Sequence, residues 1–120
     1  MGRFMITQKW KKFERLVAKV QQDLSPQAIV TANDKIEGKI TGTKRQIDVS
    51  IRQRVGQYEM LIAIECKDLS VPVDVKDVEG AIGLFQDIGA NNGVIVSASG
   101  FTATAKTRGE NARLALYRLV

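Results

Sequence analysis

Histidine is absent from this 120-residue chain, and cysteine occurs once. Without histidine there can be no Ser-His-Asp triad, no Cys-His pair and no His-ligated zinc or iron. Acid–base chemistry must then come from Asp, Glu, Lys, Tyr or water. A lone Cys66 excludes an internal disulfide and a cysteine-built zinc site. No apolar run approaches the roughly 20 residues of a membrane span. The N-terminus is basic but has no contiguous apolar stretch, so no secretion signal is expected, and neither is a membrane partner. A cytoplasmic location follows as the expectation. Aromatics make up only 6%, and Tyr58 and Phe101 stand too far apart to form a base-stacking platform.

The chain has the makings of one domain, 1–120, with 44% apolar and 26% charged residues. Its net charge of +5 favours polyanionic partners without choosing among them. The most informative stretch is 44–67. KRQIDVSI alternates, with Ile47, Val49 and Ile51 expected on one face and Asp48 and Ser50 on the other. After a polar loop, RQRVGQY, comes EMLIAIECK, with Glu65 and Lys67 on one face and Cys66 on the opposite one. Two period-2 runs around Gly56 predict a β-hairpin. Its unusual feature is charge inside apolar strands, which is costly unless paired or metal-bound. Asp48 facing Glu65, with Lys67 beside them, reads either as a divalent-cation site or as a cross-strand charge cluster.

Residues 7–24 carry Trp10, Phe13, Leu16, Val17, Val20 and Leu24 at helical spacing, with Thr7 as the expected N-cap. Glu14 sits on the shoulder of this stripe, placed either to pair with Lys11 on the surface or to reach the domain body. Pro26 ends the helix. Residues 28–30 read as a short extended piece, Asn33-Asp34 as a turn, and 35–43 as a short edge strand weakened by Gly38 and Gly42. Beyond the hairpin, Asp74 is expected to cap a helix carrying Val75, Val78, Ala81, Ile82, Phe85 and Ile88. Residues 93–99 predict a buried strand. Thr102 opens another helix, whose middle Gly109 weakens, and LYRLV closes the chain as a strand. The order predicts an α/β fold with a mixed sheet, antiparallel at the hairpin and parallel through the helical crossovers. Lys39, Lys44, Arg45, Arg52 and Arg54 cluster in sequence around the hairpin. They read as a DNA-backbone surface or as an ordinary solvated face.

Asp48 followed by Glu65-Cys66-Lys67 resembles the PD-(D/E)xK nuclease signature, with Ile47 where that motif often has proline. The stretch 36–67, and NNGVIVSASGFTATA after it, resembles the catalytic domain of Mrr-type restriction endonucleases. Phe13-Glu14-Arg15-Leu16-Val17 is similar to the helix on which these nucleases, and archaeal Holliday-junction resolvases, carry an acid. The resemblance implies an αβββαβ core, a mixed central sheet flanked by helices, and DNA hydrolysis with Mg²⁺, for which Mn²⁺ substitutes. It implies Asp48, Glu65 and the Cys66 backbone carbonyl as metal ligands. Glu14 would act through a water or a second metal, and Lys67 would orient the attacking water. It further implies a homodimer or a separate recognition domain as partner. A non-catalytic DNA-binding or assembly module and a junction-resolving nuclease are the alternatives.

Overall fold

The computed structural model describes the backbone from Gly2 to Leu119 and the side chains from Lys11 to Leu119. The elements are α1 (Gly2–Leu24), β1 (Ile29–Glu37), β2 (Lys44–Val55), β3 (Tyr58–Lys67), α2 (Val75–Asp87), β4 (Asn92–Ser97), α3 (Ala103–Asn111) and β5 (Ala115–Arg118). One five-stranded sheet takes the strands in chain order, β1 to β5. The first two pairings are antiparallel and the last two parallel, as the hairpin and the two crossover helices require. Among the described residues no helix is long and apolar enough to cross a membrane.

Each face of the sheet has its own core. Ile47, Ala63 and Ile95 pack with Val78, Ala81, Phe85 and Ile88 around α2. Val49, Ile51, Ile64, Cys66 and Val96 pack on the other face with Val17 of α1. Ile47 therefore does not share a face with Val49 and Ile51, contrary to the simple alternation. The reason lies in the pairing of β1 with β2. Ala32 pairs with Val49 and Asp34 with Ile47, but the intervening Asn33 and Asp48 are not paired. Asn33 takes a left-handed φ of 53°. A local break of this kind turns the strand over, so that residues beyond it face the opposite way. The expected turn at Asn33-Asp34 is thus a kink inside one nine-residue edge strand, Ile29–Glu37; that strand takes in most of the piece at 28–30 but only the first three residues of 35–43, the rest of which turns toward β2. The expected loop at 52–58 is likewise mostly strand, with only Gly56-Gln57 turning between β2 and β3.

The helices are seated by local signals. Asp74 and Asp77 form a reciprocal capping box at the start of α2. The Thr102 hydroxyl accepts from the Ala105 N–H at 3.2 Å, capping α3. That helix runs through Gly109, which is buried against Leu116. At the C-terminal end of α2, Asp87 is buried and accepts from the Ile40 N–H (2.8 Å), the Thr41 N–H (3.0 Å) and the Thr41 hydroxyl (2.7 Å), and from Arg45. These bonds, the Thr41 hydroxyl foremost, hold its carboxyl well below the usual carboxylate range. They tie the β1–β2 connection to α2. Gly38 is the close approach suggested by its position: a Cβ there would strike the Asp87 carboxylate and Thr41.

α1 is already helical at Thr7, the expected cap, whose side chain, with that of Trp10, lies outside the described residues. Its stripe is only partly buried. Val17 is 4% exposed, but Leu16, Val20 and Leu24 are 49%, 39% and 72% exposed. The helix seats along a line through Glu14 and Val17 over β1–β3. Its flank overhangs a groove of about 480 Å³ lined by Val20, Leu24, Val94 and Leu119.

Gly93 on β4 lies directly beneath Phe85, where a Cβ would overlap the ring and touch Leu114. Gly93→Ala is expected to destabilise the chain by roughly 1–3 kcal/mol, read as a lowered urea midpoint with an unchanged m-value.

Candidate active site

The β2–β3 ladder runs from Val55↔Tyr58 to Val49↔Ile64 and then stops. Beyond that point the strands diverge, and side chains take over from the backbone. The Asp48 carboxylate accepts the Cys66 N–H at 2.8 Å. The Asp48 N–H points to Glu65 Oε1 at 3.4 Å. On the far side of Cys66, β3 stays in register with β4 through Lys67↔Ser97, and the Lys67 carbonyl accepts from the Ala98 N–H. Along a strand the N–H and C=O of one residue point the same way, and neighbouring residues point oppositely. The Cys66 carbonyl therefore faces the Asp48 side, where its N–H is already engaged. Its side chain packs in the α1-side core at 1% exposure. Burial first, then the charges of Asp48, Glu14 and Glu65, push the thiol well above its ordinary range. A nucleophilic role for Cys66 is physically disfavoured.

Glu14 reaches the domain body. It is 2% exposed, and Asp48 and Asn33 lie near enough to act on its carboxyl, with Lys11 contributing a weaker favourable charge. Burial, followed by the nearby Asp48 carboxyl, raises Glu14 to about 7. Glu65 is raised to about 7 as well, by burial first and then by the Asp48 charge, with Lys67 opposing. Asp48 of β2 is thus the common neighbour of Glu14 on α1 and Glu65 on β3. The carboxylates meet as pairs. Among the described residues no group of three His, Cys, Asp or Glu side chains is already drawn into a metal-holding cluster. The donor set nevertheless suits a hard divalent cation. It offers carboxylate oxygens and a backbone carbonyl, no competing soft ligand, and more negative charge than the half-buried Lys67 offsets.

The five hairpin cations do not form one patch. Arg45 is bound to Asp87 and Arg52 to Asp34. Lys39, Lys44 and Arg54 are exposed. Lys44 and Arg54 stand at opposite ends of β2, about 33 Å apart at the rise of an extended strand. Two other polar residues go elsewhere. The Ser50 hydroxyl is buried and donates to Asp34 at 2.7 Å. Together with Arg52 it outweighs the effect of burial and lowers the Asp34 carboxyl. Gln86 lines a hollow of about 390 Å³ with Asn92 and Arg113, at the opposite end of β4 from Ser97 and Lys67. Asn33, unpaired opposite Asp48 where β1 and β2 leave their ladder, was not singled out beyond a turn by sequence reasoning. Its tolerance of left-handed backbone is what made it read as a turn.

With this geometry in hand, comparison with known proteins is informative. A family model for the Mrr catalytic domain, described as a restriction endonuclease, matches residues 6–119. No curated protein matches the chain. Among solved structures, AF1548, a protein of unknown function, superposes with a TM-score of 0.73 at 21% identity over 91% of this chain and 57% of its own. The DNA modification-dependent restriction endonuclease AspBHI gives 0.59 at 21% identity, covering 91% of this chain and 28% of its own. The MspJI restriction endonuclease, solved with a 27-mer oligonucleotide, gives 0.57 at 15% identity, covering 97% and 26%. At these identities the likeness is one of fold. The chain spans little more than half the length of the first of these proteins and about a quarter of the other two.

The raised carboxyls bear on stability. Glu14 and Glu65 keep their protons to about pH 7 when folded but release them near the ordinary glutamate value of 4.5 when unfolded. Between those values the folded chain binds more protons, so stability falls as pH rises across the window. The metal-free unfolding free energy is expected to drop by on the order of 3 kcal/mol between pH 5 and pH 8. Asp48→Asn removes the charge the two acids share and is expected to flatten that slope, measured by urea titration in EDTA.

Proposed function

This chain belongs to the Mrr-type restriction endonuclease family, and on that footing we infer that it is a metal-dependent DNA endonuclease whose site is Asp48, Glu65, Lys67 and Glu14. The observation that carries the reading is the end of the β2–β3 ladder. There Asp48, Glu65 and the Cys66 carbonyl edge come together beside Lys67.

Phosphodiester hydrolysis needs an aligned water and neutralisation of charge growing on the phosphoryl and leaving oxygens. A bound Mg²⁺, or Mn²⁺ in its place, supplies Lewis-acid neutralisation and makes water a better nucleophile. Asp48, Glu65 and the Cys66 carbonyl would hold it, with Glu14 reaching it through a water or a second ion. Asp48 keeps one oxygen on the Cys66 N–H, which fixes the carboxylate plane. Lys67, half-buried and close enough to Glu65 to affect its charge, orients the attacking water and steadies the developing charge. This role asks for no change in its protonation.

The substrate is proposed to be duplex DNA. AspBHI is a DNA modification-dependent enzyme and MspJI was solved with an oligonucleotide. Lys39, Lys44 and Arg54, exposed and without an ion pair among the described residues, are proposed to meet the phosphate backbone. Target choice and cutting of both strands are proposed to need a second copy or a separate recognition domain.

Incubation with supercoiled plasmid tests the reading. Nicking is expected in Mg²⁺ or Mn²⁺ and none in EDTA. Lys67→Ala and Asp48→Asn, which keeps an acceptor for Cys66, are expected to cost about a hundredfold or more while remaining folded. Salt-sensitive binding without cleavage, retained in both variants, would instead establish a non-catalytic binding module. A preference for branched over linear duplex would mark a junction-resolving enzyme. For the backbone contacts, Lys44→Ala and Arg54→Ala are each expected to weaken binding alike on all sequences. Each should also lower the slope of log affinity against log salt by about 1.

A further inference from the structure

β3 leaves the acid site as a strap, residues 68–73, that leads to α2. Between Asp68 and Asp74 its sequence is LSVPV, without a charge. Leu69 is 40% exposed and Val71 62%, and Ser70 and Pro72 are exposed with them. Surface connections of this kind are ordinarily mobile, but this one is held. The Ser99 hydroxyl lies 2.7 Å from both the Leu69 and the Val71 carbonyls. It has one proton, so it donates to one of them at a time and keeps both within reach. Ser99 is itself fixed. Its N–H donates to the buried Ser97 hydroxyl at 3.1 Å, which also accepts the Gly100 N–H at 2.9 Å. Farther along, the Val73 N–H donates to the Gly100 carbonyl and the Thr102 N–H to the Val73 carbonyl, each at 2.9 Å. Ser97 is the register partner of Lys67, so the turn between β4 and α3 holds the strap at both ends.

We propose that the strap at 69–72 is a preformed apolar wedge for the minor groove of duplex DNA, pinned by Ser99 and set beside the phosphate that Lys67 addresses. The inference deepens the nuclease reading and rests on it. Leu69 stands two residues beyond Lys67, about 7 Å at the rise of an extended chain. That is about two nucleotide steps of B-form DNA, at roughly 3.4 Å each. A duplex with a phosphate at Lys67 therefore brings its neighbouring nucleotides against Leu69. The strap has no cation to offer those phosphates. It offers aliphatic surface, which gains only from sugars and base edges. The major groove, about 12 Å wide, suits a helix or a two-stranded ribbon, whereas a single strap fits the minor groove of about 6 Å. Aliphatic side chains placed there part base steps and bend the duplex. A strap held in advance spares binding the entropy of ordering it.

The test is kcat/KM for Mg²⁺-dependent nicking of an A·T-rich supercoiled plasmid, measured with the full chain at several salt concentrations. Leu69→Ser and Val71→Ser change exposed side chains, and circular dichroism checks that both variants fold. Each is expected to lower kcat/KM roughly tenfold, chiefly through KM. The salt slope should stay at its native value, since an apolar contact releases no counterions. Netropsin, which fills the minor groove of A·T-rich DNA, is expected to slow the native chain toward the rate of the double variant. It should slow the double variant little further, as two routes to one lost contact do not add. Ser99→Ala unpins the strap and is expected to give a smaller loss of the same kind. Native kcat/KM in the double variant would overturn the wedge while leaving the nuclease standing. So would a netropsin effect that adds in full to the double substitution. A loss that instead tracks a change in self-association, read by sedimentation, would make the strap a contact between copies and overturn the groove assignment. No nicking by the native chain would bring down the nuclease reading and this inference with it.

Discussion

A single hydrogen bond, from the Cys66 N–H to the Asp48 carboxylate at 2.8 Å, sets the terms for the rest. Where a ladder ends inside a protein, backbone donors must find other acceptors or pay for desolvation. Here a side chain takes the place of the missing strand. That allows β2 and β3 to part at Val49↔Ile64 without leaving the N–H bare, and the opening they leave is the acid site. The strand then turns over, so one continuous β2 feeds Ile47 to the core under α2 and Val49 to the core under α1. The two-sided core and the site are products of the same departure from regular pairing.

The remaining buried and half-buried acids follow a consistent rule. Asp87 is met by two N–H groups, a hydroxyl and a guanidinium, and Asp34 by a hydroxyl and a guanidinium. Among the described residues no buried side-chain nitrogen or oxygen lacks a hydrogen-bond partner. These acids are satisfied within the chain, and their carboxyls sit low. Glu14 and Glu65 sit high, because burial, and then the nearby Asp48 acid, opposes their charge. The contrast sets the structural carboxylates apart from those of the proposed cation site.

The element order, the mixed sheet, both helix caps and the convergence of Asp48 and Glu65 near Lys67 were legible in the sequence, because each rests on local pattern. Asp74 and Thr102 announce their helices by residue type, and the run 93–99 reads as buried β from its own composition. What was not legible depends on geometry across strands. Strict alternation placed Ile47 with Val49, since nothing in IDV marks a residue that leaves its pairing. Asn33 signalled a left-handed backbone correctly, but a turn and a kink share that signature and only the partner strand tells them apart. The fate of Arg45 and Arg52 was hidden because Asp87 and Asp34 are distant in sequence or on another strand. The stripe on α1 failed at Leu16, Val20 and Leu24 because periodicity fixes which residues share a face, but not how far the sheet extends beneath it.

The face change at residue 48 also bears on how such a chain can lose its chemistry over generations. A side chain there that cannot accept a hydrogen bond strands the Cys66 N–H and removes the reason for β2 to break its pleat. Ile47 would then be drawn toward the wrong core. Lys67 and Glu14 carry no such burden, since neither supplies an acceptor to the sheet's backbone. Were the proposed cleavage no longer selected for, the lysine or the helix acid would be free to change first and the aspartate last. An intact aspartate in a descendant of this fold is a record of architecture, and only its company testifies to catalysis.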